Sequence, residues 1–323
     1  MNIVVLDADS IGHDISLDSW KAYGDVTLYG LTKYEEIPER IKDADVVMTN
    51  KCHLDEKALK DAKNVKFIAE LATGYNNIDI EYCKAHGIAV ANVGGYSTMT
   101  VVQHTFALLL SMNEKLSYYS DYINSGAYSE SPLFTNVSQG FAELFGKTYG
   151  IVGLGTIGKK VAEIATALGC KVIYFSASGH KQEDVPYEYV SFDELLERSD
   201  FISIHAPLNE KTKDLFDDAA FSKMKKSAIL INVGRGPIVN EEAVASALKN
   251  DEILGYGADV FTTEPIPKGS PIAELAKSGF SKDRLLLTPH TAWASMDARN
   301  RLVSEVEKNL KAFFAGEERN RIV

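Results

Sequence analysis

"YGIVGLGTIGKKVAEIATALGCKVIYFSAS", Tyr149 to Ser178, is the stretch that decides the fold of this chain. An apolar run enters Gly153, Gly155 and Gly158 in G-x-G-x-x-G spacing, passes into a helical pattern, and emerges in a second apolar run, "KVIYF". Glycines at that spacing let backbone amides approach a pyrophosphate at a helix N-terminus. A bare triplet would fit any tight strand-to-helix turn. Strand, helix and second strand in order point to a dinucleotide site.

The acid that binds the adenosine ribose in such units is expected at the end of "KVIYF", where Ser176 stands. Serine still hydrogen-bonds a ribose hydroxyl and does not repel a 2′-phosphate. Ser178, His180 and Lys181 follow closely, so NADP is admitted beside NAD; the other reading of His180 and Lys181 is a solvated loop.

Outward from this stretch the chain alternates between β-branched runs and helical patterns. "NIVVL", "DVVMT", "VKFIAE" and "IAVANV" mark strands before it, with "LDEKALKDA" of helical spacing among them. "DFISIHA", "AILINV", "GYGADV" and "RLLLTPH" mark strands after it. Such alternation means parallel sheets with crossover helices. "VVQHTFALLLSMNEKLSYYSDYI", from Val101 to Ile123, has neither proline nor glycine and reads as one long buried helix. The last helical segment, "ASMDARNRLVSEVEKNLKAFFAG", follows the final strand and is expected to return to the first domain.

A chain of 323 residues that is 45% hydrophobic is long enough for two domains of ordinary size. Its formal charge of −11 argues against nucleic acid and anionic membranes as partners. Cys52, Cys83 and Cys170 lie far apart, without the spacing of a zinc cage or a disulfide framework, and none of the histidines shows metal-ligand spacing. His104 reads as a satisfied core histidine, and Asp7 and Asp9 after the first strand as loop residues or the lining of a cleft. The opening "MNIVVLDADS" lacks the flank and core of a signal peptide, which leads to an expectation of a soluble, cytoplasmic protein.

Three polar residues stand just beyond three successive strands: Arg235 in "ILINVGRGPIV", Glu264 in "GADVFTTEP" and His290 in "LLLTPHTAW". In an open parallel sheet those strand ends share one edge with the Gly153 loop. The residue types suit reduction of a 2-oxo acid. A guanidinium holds the carboxylate bidentately, a protonated imidazole gives a proton to the carbonyl oxygen, and a carboxylate beside the imidazole favours its charged form. Taken singly, each residue would pass for a structural turn residue.

Together these motifs resemble the D-isomer-specific 2-hydroxyacid dehydrogenase family over nearly the whole chain. "ELFGKTYGIVGLGTIGKKVA", "INVGRGPIVNEEAVASAL", "GYGADVFTTEP" and "LTPHTAWASMDARNRL" follow its signatures in order. The resemblance implies a Rossmann dinucleotide-binding domain, residues 101–293, inserted in a discontinuous flavodoxin-like substrate domain, residues 1–100 and 294–323. Both are doubly wound parallel-sheet α/β units. It also implies Arg235, Glu264 and His290 as catalytic residues. Cofactor contacts are implied at Val101, Gly153, Leu154, Gly155, Thr156, Ile157, Gly158, Ser176, Ala206, Pro207, Thr212, Val233, Gly234 and Asp259. Backbone amides at Thr73 and Gly74 in "LATGYNNID" are implied to bind the substrate carboxylate beside Arg235.

"GYSTMTVVQH" and "PHTAWAS" resemble most the glycerate dehydrogenase and hydroxypyruvate reductase group. A homodimer meeting through the dinucleotide domains and the helix near Val101 is also implied. The alternatives are a D-lactate-type dehydrogenase acting on a larger 2-oxo acid and an NAD(H)-sensing, corepressor-like interaction protein. Formate dehydrogenase, a third relative in fold, pairs its histidine with glutamine, and Glu264 speaks against it.

Overall fold

The computed structural model describes residues 1–323 and divides into two compact units, Met1–Ser97 with Ala294–Val323, and Thr98–Trp293. The first begins with strands β1 (Asn2–Val5), β2 (Asp25–Leu28), β3 (Val46–Thr49), β4 (Phe67–Glu70) and β5 (Ala89–Ala91). Its short helices are α1 (Ile37–Ile41), α2 (Glu56–Leu59) and α3 (Ile80–Ala85). The strands are all parallel in the order β2-β1-β3-β4-β5, the flavodoxin-like arrangement. Every residue of β3 and β4 is buried, as expected of parallel strands covered on both faces. β2 escaped the sequence reading because it is an edge strand of mostly exposed residues and carries no apolar run.

The second unit opens with α4 (Thr98–Asn113) and α5 (Leu116–Asn124). It continues as β6 (Thr148–Val152), α6 (Thr156–Ala167), β7 (Lys171–Phe175), β8 (Glu188–Tyr189), α7 (Phe192–Arg198) and β9 (Phe201–Ile204). Then follow α8 (Asp218–Lys223), β10 (Ile229–Asn232), α9 (Glu241–Lys249), β11 (Gly255–Ala258), α10 (Pro271–Lys277) and β12 (Leu285–Leu287). The sheet order β12-β11-β10-β9-β6-β7-β8 is the Rossmann order with one strand added. Topology reverses between β6 and β9, and there the carboxyl ends of the strands open a crevice.

The single helix expected from Val101 to Ile123 is two helices. Lys115 takes a left-handed backbone, φ 57°, and ends the first of them. The break has a tertiary cause: the amides of Ser117 and Tyr118 donate to the two carboxylate oxygens of Asp283 at 3.1 and 3.0 Å, which caps α5 from far along the chain. α4 is buried on several sides, whereas α5 buries none of its residues. Periodicity in an apolar run could not register a capping carboxylate 165 residues away.

The chain then returns to the first unit as α11 (Met296–Phe314), started by Ser295, whose hydroxyl accepts from the Ala298 amide. Trp20 is wholly buried and its indole donates to the Val303 carbonyl at 3.2 Å, while Phe67 of β4 stacks on Phe313 at 4.5 Å between ring centroids. Ile322 and Val323 pair with Val90, so the C-terminal tail covers the edge at β5. No helix is long and apolar enough to cross a membrane. Trp20→Ala should therefore cost about 3–5 kcal/mol of stability, read as the shift in urea unfolding followed by circular dichroism. A loss well below 1 kcal/mol would show that α11 is held by other contacts.

Candidate active site

Gly153 leaves β6 with φ 92° and packs against the backbone of Ala206, which follows β9 across the switch point. A Cβ at Gly158 would lie 2.2 Å from the Gly153 carbonyl oxygen, so only glycine lets α6 approach the strand this closely. Gly155 is different: a Cβ there would meet nothing within 4 Å. It stands at the N-cap of α6, and no side chain caps the first amides of that helix. That geometry fits a dinucleotide pyrophosphate. The Leu154 side chain is buried in the core, which leaves only its backbone for a ligand.

At the end of β7, Ser176 and Ser178 pair through their hydroxyls at 2.9 Å, and the His180 amide donates to Ser178 Oγ at 3.3 Å. No carboxylate is fixed in this turn. Across the switch point, Ala206 is buried and Pro207 exposed. Thr212 is buried, its hydroxyl donating to the Pro207 carbonyl at 2.8 Å and accepting from the Asn209 amide at 2.8 Å, so it closes its own loop.

The neighbouring strands carry the trio. Arg235 leaves β10 after the half-buried Val233 and Gly234; it is exposed, and its Nη1 donates to the Gly234 carbonyl at 2.9 Å with no carboxylate neutralising it. Gly236 follows, and a Cβ on it would sit 1.9 Å from the carbonyl carbon of Phe261. The loop of Arg235 thus lies directly on the loop after β11. There Glu264 turns back, one oxygen accepting from the Phe261 amide at 3.0 Å and the other contacting Nδ1 of His290 at 2.5 Å. With Nδ1 engaged by Glu264, Nε2 is the imidazole nitrogen that this contact leaves open.

His290 itself has φ 54°, a conformation costing about 1–3 kcal/mol outside glycine and persisting only where its surroundings impose it. Asp259 imposes it. The Asp259 carbonyl accepts from the His290 amide at 2.9 Å, and its carboxylate accepts from the amides of Thr291 and Ala292, both at 2.8 Å, and from the Thr288 hydroxyl at 2.6 Å. His104 on α4 completes the cluster, Nε2 to Thr288 Oγ1 at 2.9 Å, as a satisfied histidine should. Asp259 and Val101 are both buried.

Thr73 and Gly74 belong to the first unit, in the loop after β4. The Thr73 hydroxyl donates to the Val93 carbonyl at 2.8 Å, and the Asn92 amide donates to the Thr73 carbonyl at 2.7 Å, so their backbone amides remain available. Of the two acids after β1, Asp9 lines a hollow of about 300 Å³ with His13, Asp18, Lys21 and Leu28. No residue of the trio or of the Thr73 loop lines that hollow. The Asp7 carboxylate instead accepts from the amides of Asn50 and Lys51.

Residues 106–292 match the family model described as D-isomer specific 2-hydroxyacid dehydrogenase, NAD binding domain. The chain belongs to the D-isomer-specific 2-hydroxyacid dehydrogenase family. It is 35% identical to a hydroxypyruvate reductase of Blautia hydrogenotrophica over 98% of each chain, and 35% identical to a glycerate dehydrogenase of Methylorubrum extorquens over 88% of each. A D-lactate dehydrogenase from Aquifex aeolicus, solved with NAD and lactic acid, superposes with a TM-score of 0.85 at 29% identity, covering 98% of this chain and 96% of that one.

This dehydrogenase is an oxidoreductase that interconverts a 2-oxo acid and a D-2-hydroxy acid by hydride transfer, with NAD or NADP as cofactor. Sequence reasoning passed over His205, at the end of β9. Its Nε2 lies 2.8 Å from Ser203 Oγ, and burial pushes its pKa down to about 3, so the imidazole stays neutral beside the Gly153 turn. Nothing in the spacing of "HAPLNEKT" marks that state; it comes from packing. Gly236→Ala should force the Arg235 and Glu264 loops apart, lowering kcat/KM by about 10²-fold while NADH binding, followed by fluorescence titration, survives. Wild-type turnover in this variant would mean that the contact with Phe261 does not set the geometry.

Proposed function

We propose that the dehydrogenase reduces hydroxypyruvate or glyoxylate to the corresponding hydroxy acid, or runs the glycerate reaction in reverse, with Arg235, Glu264 and His290 as its catalytic residues. The observation carrying this reading is the 2.5 Å contact between Glu264 Oε2 and His290 Nδ1, beside an unneutralised Arg235. The relatives named hydroxypyruvate reductase and glycerate dehydrogenase support the small substrate.

Arg235 binds the substrate carboxylate through its planar fork, and in the first unit the amides of Thr73 and Gly74 are neutral donors of the kind a carboxylate accepts. A bound nicotinamide supplies hydride to the carbonyl carbon, which becomes the new C–H bond. His290, protonated, gives the proton on Nε2 to the carbonyl oxygen and finishes as neutral imidazole. Glu264 accepts the hydrogen bond from Nδ1 throughout, fixing the tautomer and the ring orientation. In oxidation the same nitrogen receives the hydroxyl proton. Amides at the start of α6 bind the pyrophosphate, and Ser176 with Ser178 meets the adenosine ribose, with NADPH tolerated because no carboxylate opposes a 2′-phosphate.

A homodimer is part of this reading. Leu133, Phe134, Val137 and Phe145, in the segment between α5 and β6, are 66%, 90%, 82% and 77% exposed. Apolar exposure on that scale in one segment suits a second copy. Three buried, unpaired cysteines with thiols pushed up to about 11 by burial suit a reducing compartment, and we assign the protein to the cytoplasm.

Hydroxypyruvate, glyoxylate, pyruvate and phenylpyruvate, each assayed with NADH and NADPH, test the substrate. The highest kcat/KM is expected with one of the first two, and a clear preference for pyruvate or phenylpyruvate overturns the assignment. His290→Gln should lower kcat by about 10²–10⁴-fold with cofactor binding intact; loss of binding as well would remove its catalytic role. Phe134→Ser combined with Val137→Ser should convert dimer to monomer in sedimentation equilibrium, and a monomeric wild type refutes the assembly.

A further inference from the structure

Glu70 ends β4, immediately before the loop that carries Thr73 and Gly74, and its side chain is wholly buried. Its Oε2 accepts from Asn77 Nδ2 at 3.1 Å, whereas Oε1 meets no hydrogen-bond partner. The same Asn77 amide donates to the Cys52 carbonyl at 3.1 Å, and the Asn77 carbonyl accepts from the Leu54 amide at 2.8 Å. The near end of the loop is held independently, by Val93 to the Ala72 carbonyl at 3.0 Å and Leu71 to the Thr49 carbonyl at 2.7 Å. At the far end the backbone of Leu54 pairs with Asn77 and Asp79, and the Asn77 side chain adds a second tie whose buried acceptor is Glu70.

We propose that Glu70 is a positioning residue which, through Asn77, fixes the loop presenting the Thr73 and Gly74 amides, and that ionising Glu70 releases this loop. The inference rests on those amides taking the substrate carboxylate.

The groups around Glu70 say why its charge matters. Burial raises its carboxyl well above the ordinary carboxylate range, and the Asp7 carboxylate at the end of β1 adds to this. The hydrogen bond from Asn77 and the Lys51 ammonium beyond β3 oppose it without prevailing. Tyr96, beyond β5, faces the same group and its phenol is raised further by it. A carboxylate formed here would place charge on Oε1, which has no donor, and would repel Asp7. Linkage gives the sign: the unfolded chain releases this proton at about pH 4.3 and the folded chain only higher, so its contribution to stability is full in acid and declines as pH rises towards the folded value.

The test uses the enzyme, Glu70→Gln and Glu70→Leu, across the pH range upward from the ordinary carboxylate value in which the protein stays folded. Hydrogen exchange of residues 72–78 without substrate reads the loop; KM and kcat for hydroxypyruvate read its consequence. In the wild type, exchange in this segment should rise with pH beyond the base-catalysed increase of other amides, and KM should rise in step while kcat holds. Glu70→Gln, which keeps the shape and an acceptor without the charge, should abolish both rises. Glu70→Leu strands the Asn77 amide and should raise KM about tenfold across the whole range.

Unchanged pH dependence in Glu70→Gln overturns the proposal, as does wild-type exchange and KM in Glu70→Leu. Should Glu70→Leu fail to fold, the Glu70→Gln profile decides alone. Failure of every form to turn over any 2-oxo acid would refute the functional reading instead, with hydrogen exchange still deciding the role of Glu70.

Discussion

Strand register is the constraint on which the chemistry of this enzyme depends. Asn232, Ala258 and Leu287 stand abreast on β10, β11 and β12, and the chain leaves each strand towards the same edge. A slip of one residue would turn every side chain of a strand to the opposite face. Arg235, Glu264 and His290 therefore inherit their common edge from backbone pairing between buried apolar strands, and no direct attraction among the three is needed to assemble it.

Two buried carboxyl groups show how polar residues serve such a frame under opposite conditions. Asp259 is surrounded by donors: amides of Thr291 and Ala292 and the Thr288 hydroxyl meet its oxygens, and the left-handed turn at His290 is imposed in consequence. Glu70 has one donor for two oxygens, and burial raises its carboxyl well above the ordinary range. The first meets donors at both oxygens from a neighbouring loop. The second leaves one oxygen without any, which is the costlier arrangement for a buried acid.

Close backbone approach supplies the rest of the precision. Gly158 lets α6 lie against the Gly153 carbonyl, and Gly236 lets the Arg235 loop lie against Phe261. Both contacts are steric, indifferent to salt and pH. Ionic contacts such as Asp18 with Lys21 lie on the surface, where solvent screening leaves them little weight.

The sequence by itself determined the parallel α/β architecture, the glycine turn and the three polar residues past successive strands, because apolar runs and turn glycines are local signals that survive without coordinates. Edge strand β2 lacked such a signal, being mostly exposed. The break at Lys115 lacked one too, since its cause is Asp283, distant in sequence. Family resemblance named Thr212 and Asp259 as ligand contacts, and only packing showed their polar atoms engaged, Thr212 within its own loop and Asp259 by the loop after β12. The link from Glu70 to Asn77 spans seven residues and was equally invisible, because it exists only once β4 ends inside a desolvated core. Local patterns specify which elements form. What a buried polar group meets, and hence its charge and its role, is decided by parts of the chain that only the tertiary structure brings together.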